Sequence, residues 1–251
     1  MLLCLLSFGL KELEGMIIIS FVCHDLEEQK EQMMSDHPEL ILKQIETGPM
    51  QNFIYFIGDA TLKEVAVVDP AWDVAAIRHE AQNHGWQITK ILLTHGHPDH
   101  VNGIKELQKT HDVPVFLSKH EANYYVPPCR HLHRVEDAAE ILIGGLTITC
   151  LHTPGHTPGG QCFRYQDILI TGDTLFIDGC GRCDLPGGDA QAMYHSLFDV
   201  ISKLPDHTVI YPGHNYGSSV SATLASQKQT NPYLTTASKQ DFLRQRMGIY
   251  F

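Results

Sequence analysis

Apolar residues fall in short runs along most of the chain, and each run ends at a turn signal. Leu40 to Glu46 and Asn52 to Ile57 have the length and the β-branched and aromatic content of strands, with Thr47-Gly48-Pro49 as the turn between them. Glu64 to Asp69 predicts a third strand, and Pro70 to Gly85 a helix that stops at the glycine. Ile88 to Leu93 is an apolar strand that runs into the polar segment Thr94-His-Gly-His-Pro-Asp-His100. A helix from about Val101 to Thr110 and a strand from Val113 to Leu117 follow. In the second half, Leu146 to Leu151, Gln161 to Tyr165, Asp167 to Thr171 and Thr208 to Tyr211 predict strands, and Ala190 to Lys203 a helix. Apolar faces recur in both halves with no linker between them, which fits one domain with sheets inside and helices outside. Four polar segments, 94–100, 152–160, 172–188 and 212–217, each follow a strand directly. Strand-end loops on a rigid scaffold are where chemistry usually sits.

The length of 251 residues suits one such domain, and 43% hydrophobic residues suffice for its core. Eighteen Lys and Arg stand against 29 Asp and Glu, a net charge of -11, so a nucleic-acid backbone is not an expected partner. The seven cysteines are odd in number and do not suit a disulfide scaffold; they point to a reducing compartment, the cytoplasm. Cys180-Gly-Arg-Cys183 has no second pair with which to build a zinc knuckle, which leaves two thiols in a glycine-rich loop, with a redox role as the alternative. The apolar run Met1 to Leu10 ends at Lys11. It is shorter than the roughly 20 residues that cross a bilayer, and it lacks the charged start and cleavage site of a signal peptide, so no membrane partner is expected. Domain-like patterning begins near His37-Pro38. Residues 1–36 are therefore expected to form an N-terminal extension outside the fold, and 37–251 the domain.

Sixteen histidines change the picture, because imidazole is a common metal ligand and acid-base group. His95-x-His97-x-Asp99-His100 places four potential ligands in six residues. His95 and His97 can point one way from an extended segment, with Asp99 and His100 facing a neighbouring position. His156 lies in Thr153-Pro-Gly-His-Thr-Pro-Gly159, Asp173 follows a strand in Thr171-Gly-Asp-Thr174, and His214 follows another in Tyr211-Pro-Gly-His-Asn215. Imidazole and carboxylate together suit zinc, iron or manganese. Five histidines and two aspartates can hold two ions with Asp173 shared, and ions roughly 3.5–4 Å apart can activate a water between them. His79, His84, His111 and His207 stand alone and are expected on the surface; His131 and His133 mimic a ligand pair but have no suitable carboxylate nearby.

The order HxHxDH, His, Asp, His resembles the metallo-β-lactamase superfamily at all seven positions: His95, His97, Asp99, His100, His156, Asp173 and His214. The resemblance spans about residues 40–235 and implies an α+β fold, the αββα four-layer sandwich, as a single domain with the metals at one edge of both sheets. Two branches compete. Gly172-Asp-Thr-Leu-Phe176, Gly179-Cys-Gly-Arg182 and Ala192-Met-Tyr-His-Ser-Leu197 resemble glyoxalase II, a two-metal hydrolase of acyl-glutathione thioesters. Its basic residue falls on Arg182 and its ligand-contacting tyrosine on Tyr216, but Asp184 stands where an aromatic residue is usual. Only 37 residues follow His214, too few for that family's helical C-terminal domain. Gly179-Cys-Gly-Arg-Cys-Asp184, Tyr211-Pro-Gly-His-Asn-Tyr216 and Thr230-Asn-Pro-Tyr233 also resemble the persulfide dioxygenases, in which one Fe(II) sits on the positions of His95, His156 and Asp173. Cys183 replaces that family's threonine.

The hydrolase is the preferred expectation, because every two-metal position is filled. The resemblance implies two divalent ions, zinc in the first instance, and attack by a metal-bridging hydroxide on the carbonyl of a small thioester. His95, His97 and His156 would hold the first ion, and Asp99, His100 and His214 the second, with Asp173 bridging. Asp99 would also hold the hydroxide's proton, and Arg182 and Tyr216 would hold an anionic part of the substrate. The expected partner is a small molecule, a glutathione conjugate among the candidates. The alternative is a mononuclear iron dioxygenase acting on glutathione persulfide. The oligomeric state is open, a homodimer among the options.

Overall fold

A computed structural model describes residues 38–248. The expected extension over residues 1–36 lies outside the described residues, as do Cys4 and Cys23. From Leu40 onward the chain forms one compact unit built on two six-stranded sheets.

The first sheet runs in simple order: β1 (Leu40–Thr47), β2 (Asn52–Asp59), β3 (Glu64–Val68), β4 (Gln87–Leu92), β5 (Val115–Ser118) and β6 (Leu132–Val135). Its first three strands pair antiparallel through tight turns, and β3 to β6 pair in parallel. Parallel neighbours need crossovers, and α1 (Val74–His84) makes the one between β3 and β4, capped by Asp73, which accepts from the Ala76 amide. The second sheet has the order β14 (Ala222–Thr223), β13 (Val209–Pro212), β10 (Ile168–Gly172), β9 (Gln161–Tyr165), β8 (Leu146–His152) and β7 (Glu140–Ile143). A small hairpin, β11 (Leu175–Phe176) and β12 (Gly179–Cys180), lies beyond β10.

Strand alternation sorts the core into three layers. On β2, Phe53, Tyr55 and Ile57 pack with Ile148, Phe163 and Ile170 of the second sheet. The intervening Ile54 and Phe56 pack on the opposite side with Ile77 and Ala81 of α1. The outer face of the second sheet packs Leu169 and Ile210 against Met193, Leu197, Leu224 and Phe242. Helix, sheet, sheet, helix is the four-layer sandwich expected. No helix among the described residues is long and apolar enough to cross a membrane.

Several elements depart from the sequence pattern. The helix expected from Val101 to Thr110 is two short ones, α2 (Pro98–Val101) and α3 (Ile104–Leu107). Between them the Gly103 amide leaves the helical ladder to bond the Pro70 carbonyl at 3.0 Å, which ties the metal-loop side of the fold to the turn after β3. The helix expected over 190–203 starts as α4 (Ala190–His195), widens into a π turn over Ser196–Val200 and tightens at Ile201–Lys203. Ser196 Oγ donates to the Pro154 carbonyl at 2.6 Å, pinning the His156 loop on that segment. The strands β6 and β7, the helices α5 (Leu224–Thr230) and α6 (Lys239–Met247), and the hairpin were not expected.

Candidate metal centre

All four polar segments meet at one edge of the sandwich. The first leaves β4, where Thr94 is buried. Asp69, at the end of β3, organises it: one carboxylate oxygen accepts from the Thr94 amide at 2.8 Å, the other from Thr94 Oγ1 at 2.6 Å and from His100 Nδ1 at 3.0 Å. Gly96 has to be glycine, because a Cβ there would lie 1.9 Å from the Tyr125 carbonyl oxygen. Its amide donates to Glu121 Oε2 at 3.1 Å, and the same oxygen accepts from Thr157 Oγ1 at 2.9 Å in the His156 loop. Gly172, at φ +48°, lets β10 turn under Thr94 and delivers Asp173. His214 leaves β13.

Hydrogen bonds on the outer side of each ring fix which nitrogen faces the centre. His156 Nδ1 lies 2.7 Å from the Arg182 carbonyl, and His214 Nδ1 lies 2.8 Å from the Met50 carbonyl. A carbonyl only accepts, so both rings carry their proton on Nδ1. His100 Nδ1 donates to Asp69, and His95 Nδ1 donates to Thr94 Oγ1 at 3.0 Å, whose own hydrogen goes to Asp69. All four rings therefore aim Nε2 inward. His95 Nε2 faces His97 Nδ1 at 3.0 Å, and His100 Nε2 faces His214 Nε2 at 3.1 Å. With both Nδ1 protons committed elsewhere, His100 and His214 can stand this close only with a cation, a proton or a metal ion, between their Nε2 atoms.

The ligand atoms form two groups, His95 with His97 and His156, and Asp99 with His100 and His214. Asp173 stands between them: Oδ2 is 3.3 Å from His156 Nε2, while Oδ1 is 3.3 Å from His100 Nε2 and 3.4 Å from His214 Nε2. His156 Nε2 and Asp173 Oδ1 are buried and have no hydrogen-bond partner among the described residues. Orphaned acceptors of this kind are what a bound ion satisfies, so the residues present fit two divalent ions. A third cluster, Asp69 with His95 and His100, is accounted for by the Asp69 hydrogen bonds. Burial keeps His95 well below the ordinary imidazole range and brings His97 down to about 4, the neutral state that binds metal. Burial also opposes charge on Asp173, but His100 and His214 outweigh it and hold the carboxyl well below its usual range.

The sequence profile of the metallo-beta-lactamase superfamily matches residues 47–214. The chain belongs to this superfamily. A probable polyketide biosynthesis zinc-dependent hydrolase of Bacillus velezensis, BaeB, is 36% identical over 195 residues, 78% of this chain and 87% of that protein. A hydroxyacylglutathione hydrolase of Pseudomonas entomophila is 31% identical over 222 residues, 74% of this chain and 83% of that one. The crystal structure of ETHE1 from Myxococcus xanthus superposes with a TM-score of 0.77 at 28% identity, over 84% of this chain and 92% of the other. The protein is thus an enzyme of a metallo-hydrolase superfamily, with divalent metal as its cofactor.

In this member of the superfamily a cavity of about 590 Å³ opens over Asp99, His156, Asp173 and His214. Met50, Phe176, Tyr216 and Tyr233 line it, with Arg182 and Arg246 as its two guanidinium groups. Tyr216 stacks on the His214 ring at 4.6 Å. Arg182 lies on the cavity wall, and its Nε and Nη2 both donate to Asp184 at 2.7 Å. His131 pairs with exposed Asp112 at 3.2 Å, and His133 sits on β6 stacked on Phe116; neither joins a ligand cluster. The five described cysteines are unpaired, and burial pushes Cys180 up to about 11 and Cys183 up to about 12, which keeps both thiols protonated and unreactive.

Sequence reasoning missed Asp69, Glu121, Asn52 and Arg246. Asn52 donates to Asp99 Oδ2 at 3.0 Å and accepts from Trp72 Nε1 at 2.8 Å, so it aims a ligand carboxylate that also faces the cavity. The sequence carries a signal for Asp69: a carboxylate closing an apolar strand one crossover before the histidine segment.

Proposed function

We propose that the chain is a two-metal hydrolase of small acyl thioesters. The observation that carries this is the completeness of the second ligand group: Asp99, His100 and His214 converge beside the first group, each oriented from behind by Asn52, Asp69 and the Met50 carbonyl. Two zinc ions at this centre would polarise the thioester carbonyl and lower the pKa of an attacking water. The zinc-dependent hydrolase and hydroxyacylglutathione hydrolase relatives support this choice. Asp99, held by Asn52 and open to the cavity, is placed to hold the proton of the attacking water. Tyr216, fixed by its stack on His214, and Arg182 border the space that the substrate enters.

The similarity to ETHE1, including a bovine persulfide dioxygenase 30% identical over 210 residues, favours a second reading, a persulfide dioxygenase with one Fe(II) on His95, His156 and Asp173. His214→Ala separates the two. A two-metal hydrolase loses its second ion and most of its turnover of lactoyl-glutathione, measured anaerobically. A mononuclear dioxygenase keeps one iron and consumes O₂ with glutathione persulfide. Persulfide-dependent O₂ uptake by the iron-loaded variant, with no thioester cleavage by the parent protein, would overturn the hydrolase reading.

A further inference from the structure

The two guanidinium groups on the cavity wall are not equivalent. Arg182 and Asp184 form a bidentate pair that is more than half exposed and electrically neutral as a unit. To take a substrate anion, Arg182 has to let go of Asp184. Arg246 gives up nothing. It comes from α6, its guanidinium lies 5.0 Å from the centre of the Tyr233 ring, and its Nη1 donates to the Cys180 carbonyl at 3.0 Å. Among the described residues no carboxylate pairs with it, and its Nε has no acceptor. Asp184 feels Arg246 electrostatically, but both carboxylate oxygens are engaged by Arg182. The aromatic ring and the carbonyl hold the planar fork in place, so little order has to be imposed when an anion arrives. Elsewhere the wall near it is largely apolar, with Phe176, Leu185 and Tyr233.

We propose that Arg246 receives a carboxylate or phosphate of the substrate, and that the cavity therefore selects acyl thioesters that carry such an anion over neutral ones. The thioester part of this rests on the proposed hydrolase activity; the anion part rests on Arg246 alone. Three substrates test it: lactoyl-glutathione with its carboxylates, acetyl-phosphopantetheine with its phosphate, and the neutral acetyl-N-acetylcysteamine. Arg246→Gln should raise KM for an anionic substrate about tenfold and leave kcat within about twofold, with the neutral thioester unmoved. Whichever anionic substrate responds identifies the group recognised. Arg182→Gln should raise the same KM by less. Arg246→Lys, which keeps charge without the fork, should raise it about two- to fivefold, and it serves where the glutamine variant does not fold. Equal KM changes for neutral and anionic substrates would show that Arg246 only clamps α6 to Cys180 and would overturn the proposal, as would an unchanged KM for both anions or turnover of the neutral thioester alone. If none of the three is hydrolysed, the hydrolase reading falls, and calorimetry with S-hexylglutathione and phosphopantetheine decides the rest. Binding to the metal-loaded parent that weakens about tenfold in Arg246→Gln sustains the anion site; unchanged binding, or none to the parent, refutes it.

Discussion

Asp69→Asn is an unusually clean perturbation of the metal centre, because it alters hydrogen bonding without altering shape or backbone. Asp69 sits at φ +51°, a left-handed conformation that asparagine tolerates as well as aspartate does. The carboxylate accepts three hydrogen bonds, from the Thr94 amide, Thr94 Oγ1 and His100 Nδ1. Asparagine keeps one acceptor oxygen and brings an NH₂. If that NH₂ faces the Thr94 amide, two buried donors oppose each other at a cost of about 1–3 kcal/mol. The other orientation puts it against His100 Nδ1. The Thr94 hydroxyl can rotate and accept, but His100 has to shift its proton to Nε2, which points at His214 and Asp173 where the second ion belongs. Replacing charge-assisted bonds by weaker ones should lower the stability of the metal-free protein by about 2–4 kcal/mol. Loss of a partner behind a ligand histidine should weaken the second ion by about 10–100-fold, with the first much less affected. Zinc titration in chelator buffers gives the two affinities, and ¹⁵N spectra of the imidazoles report the His100 tautomer. Asp69→Asn protein that holds the second ion as tightly as the parent, or keeps the Nδ1 proton on His100, would refute the reasoning.

Asp173→Asn should weaken both ions and abolish turnover, since Asp173 faces both ligand groups; His131→Ala should leave metal content unchanged, and elemental analysis of both variants checks this. Asp59 is held below the ordinary carboxylate range: burial opposes its charge, but the amides of Gly145, Leu62 and Thr61 outweigh it. Its folded pKa lies below its unfolded value of about 3.9, so its contribution is complete above that pH and is lost as the pH falls through the folded value. Urea midpoints of metal-free parent and Asp59→Asn protein should therefore differ clearly at pH 7 and converge below about pH 4; a gap that stays constant would contradict this.

What the sequence made legible was what is local. Four ligands in His95 to His100 are six residues of one loop, and His156, Asp173 and His214 each close a strand whose apolar run was plain. The residues behind the ligands were less legible, because their role depends on pairings across the fold: Asn52 reaches Asp99 and Glu121 reaches Thr157 only once the sheets are stacked. Arg246 belongs to a polar helix whose meaning comes from landing beside Cys180, 66 positions earlier. The interrupted helix after His100 was hidden for the same reason, since the Gly103 amide answers to Pro70 rather than to its own turn. The strands β6 and β7 are short, with exposed charged residues, and their apolar positions show a face only against their neighbours.

Ligands drawn from both sheets make the centre a clasp as well as a reaction site. His95, His97, Asp99 and His100 descend from the first sheet, and His156, Asp173 and His214 from the second. An ion that binds only when the two halves are closed stabilises the closed form by mass action, by about 4 kcal/mol at a free concentration a thousandfold above its dissociation constant. Metal supply would then set the lifetime of the protein and not only its rate. In a metal-starved cell the sandwich would open first along this edge, and proteases would clear the empty enzyme before the loaded one.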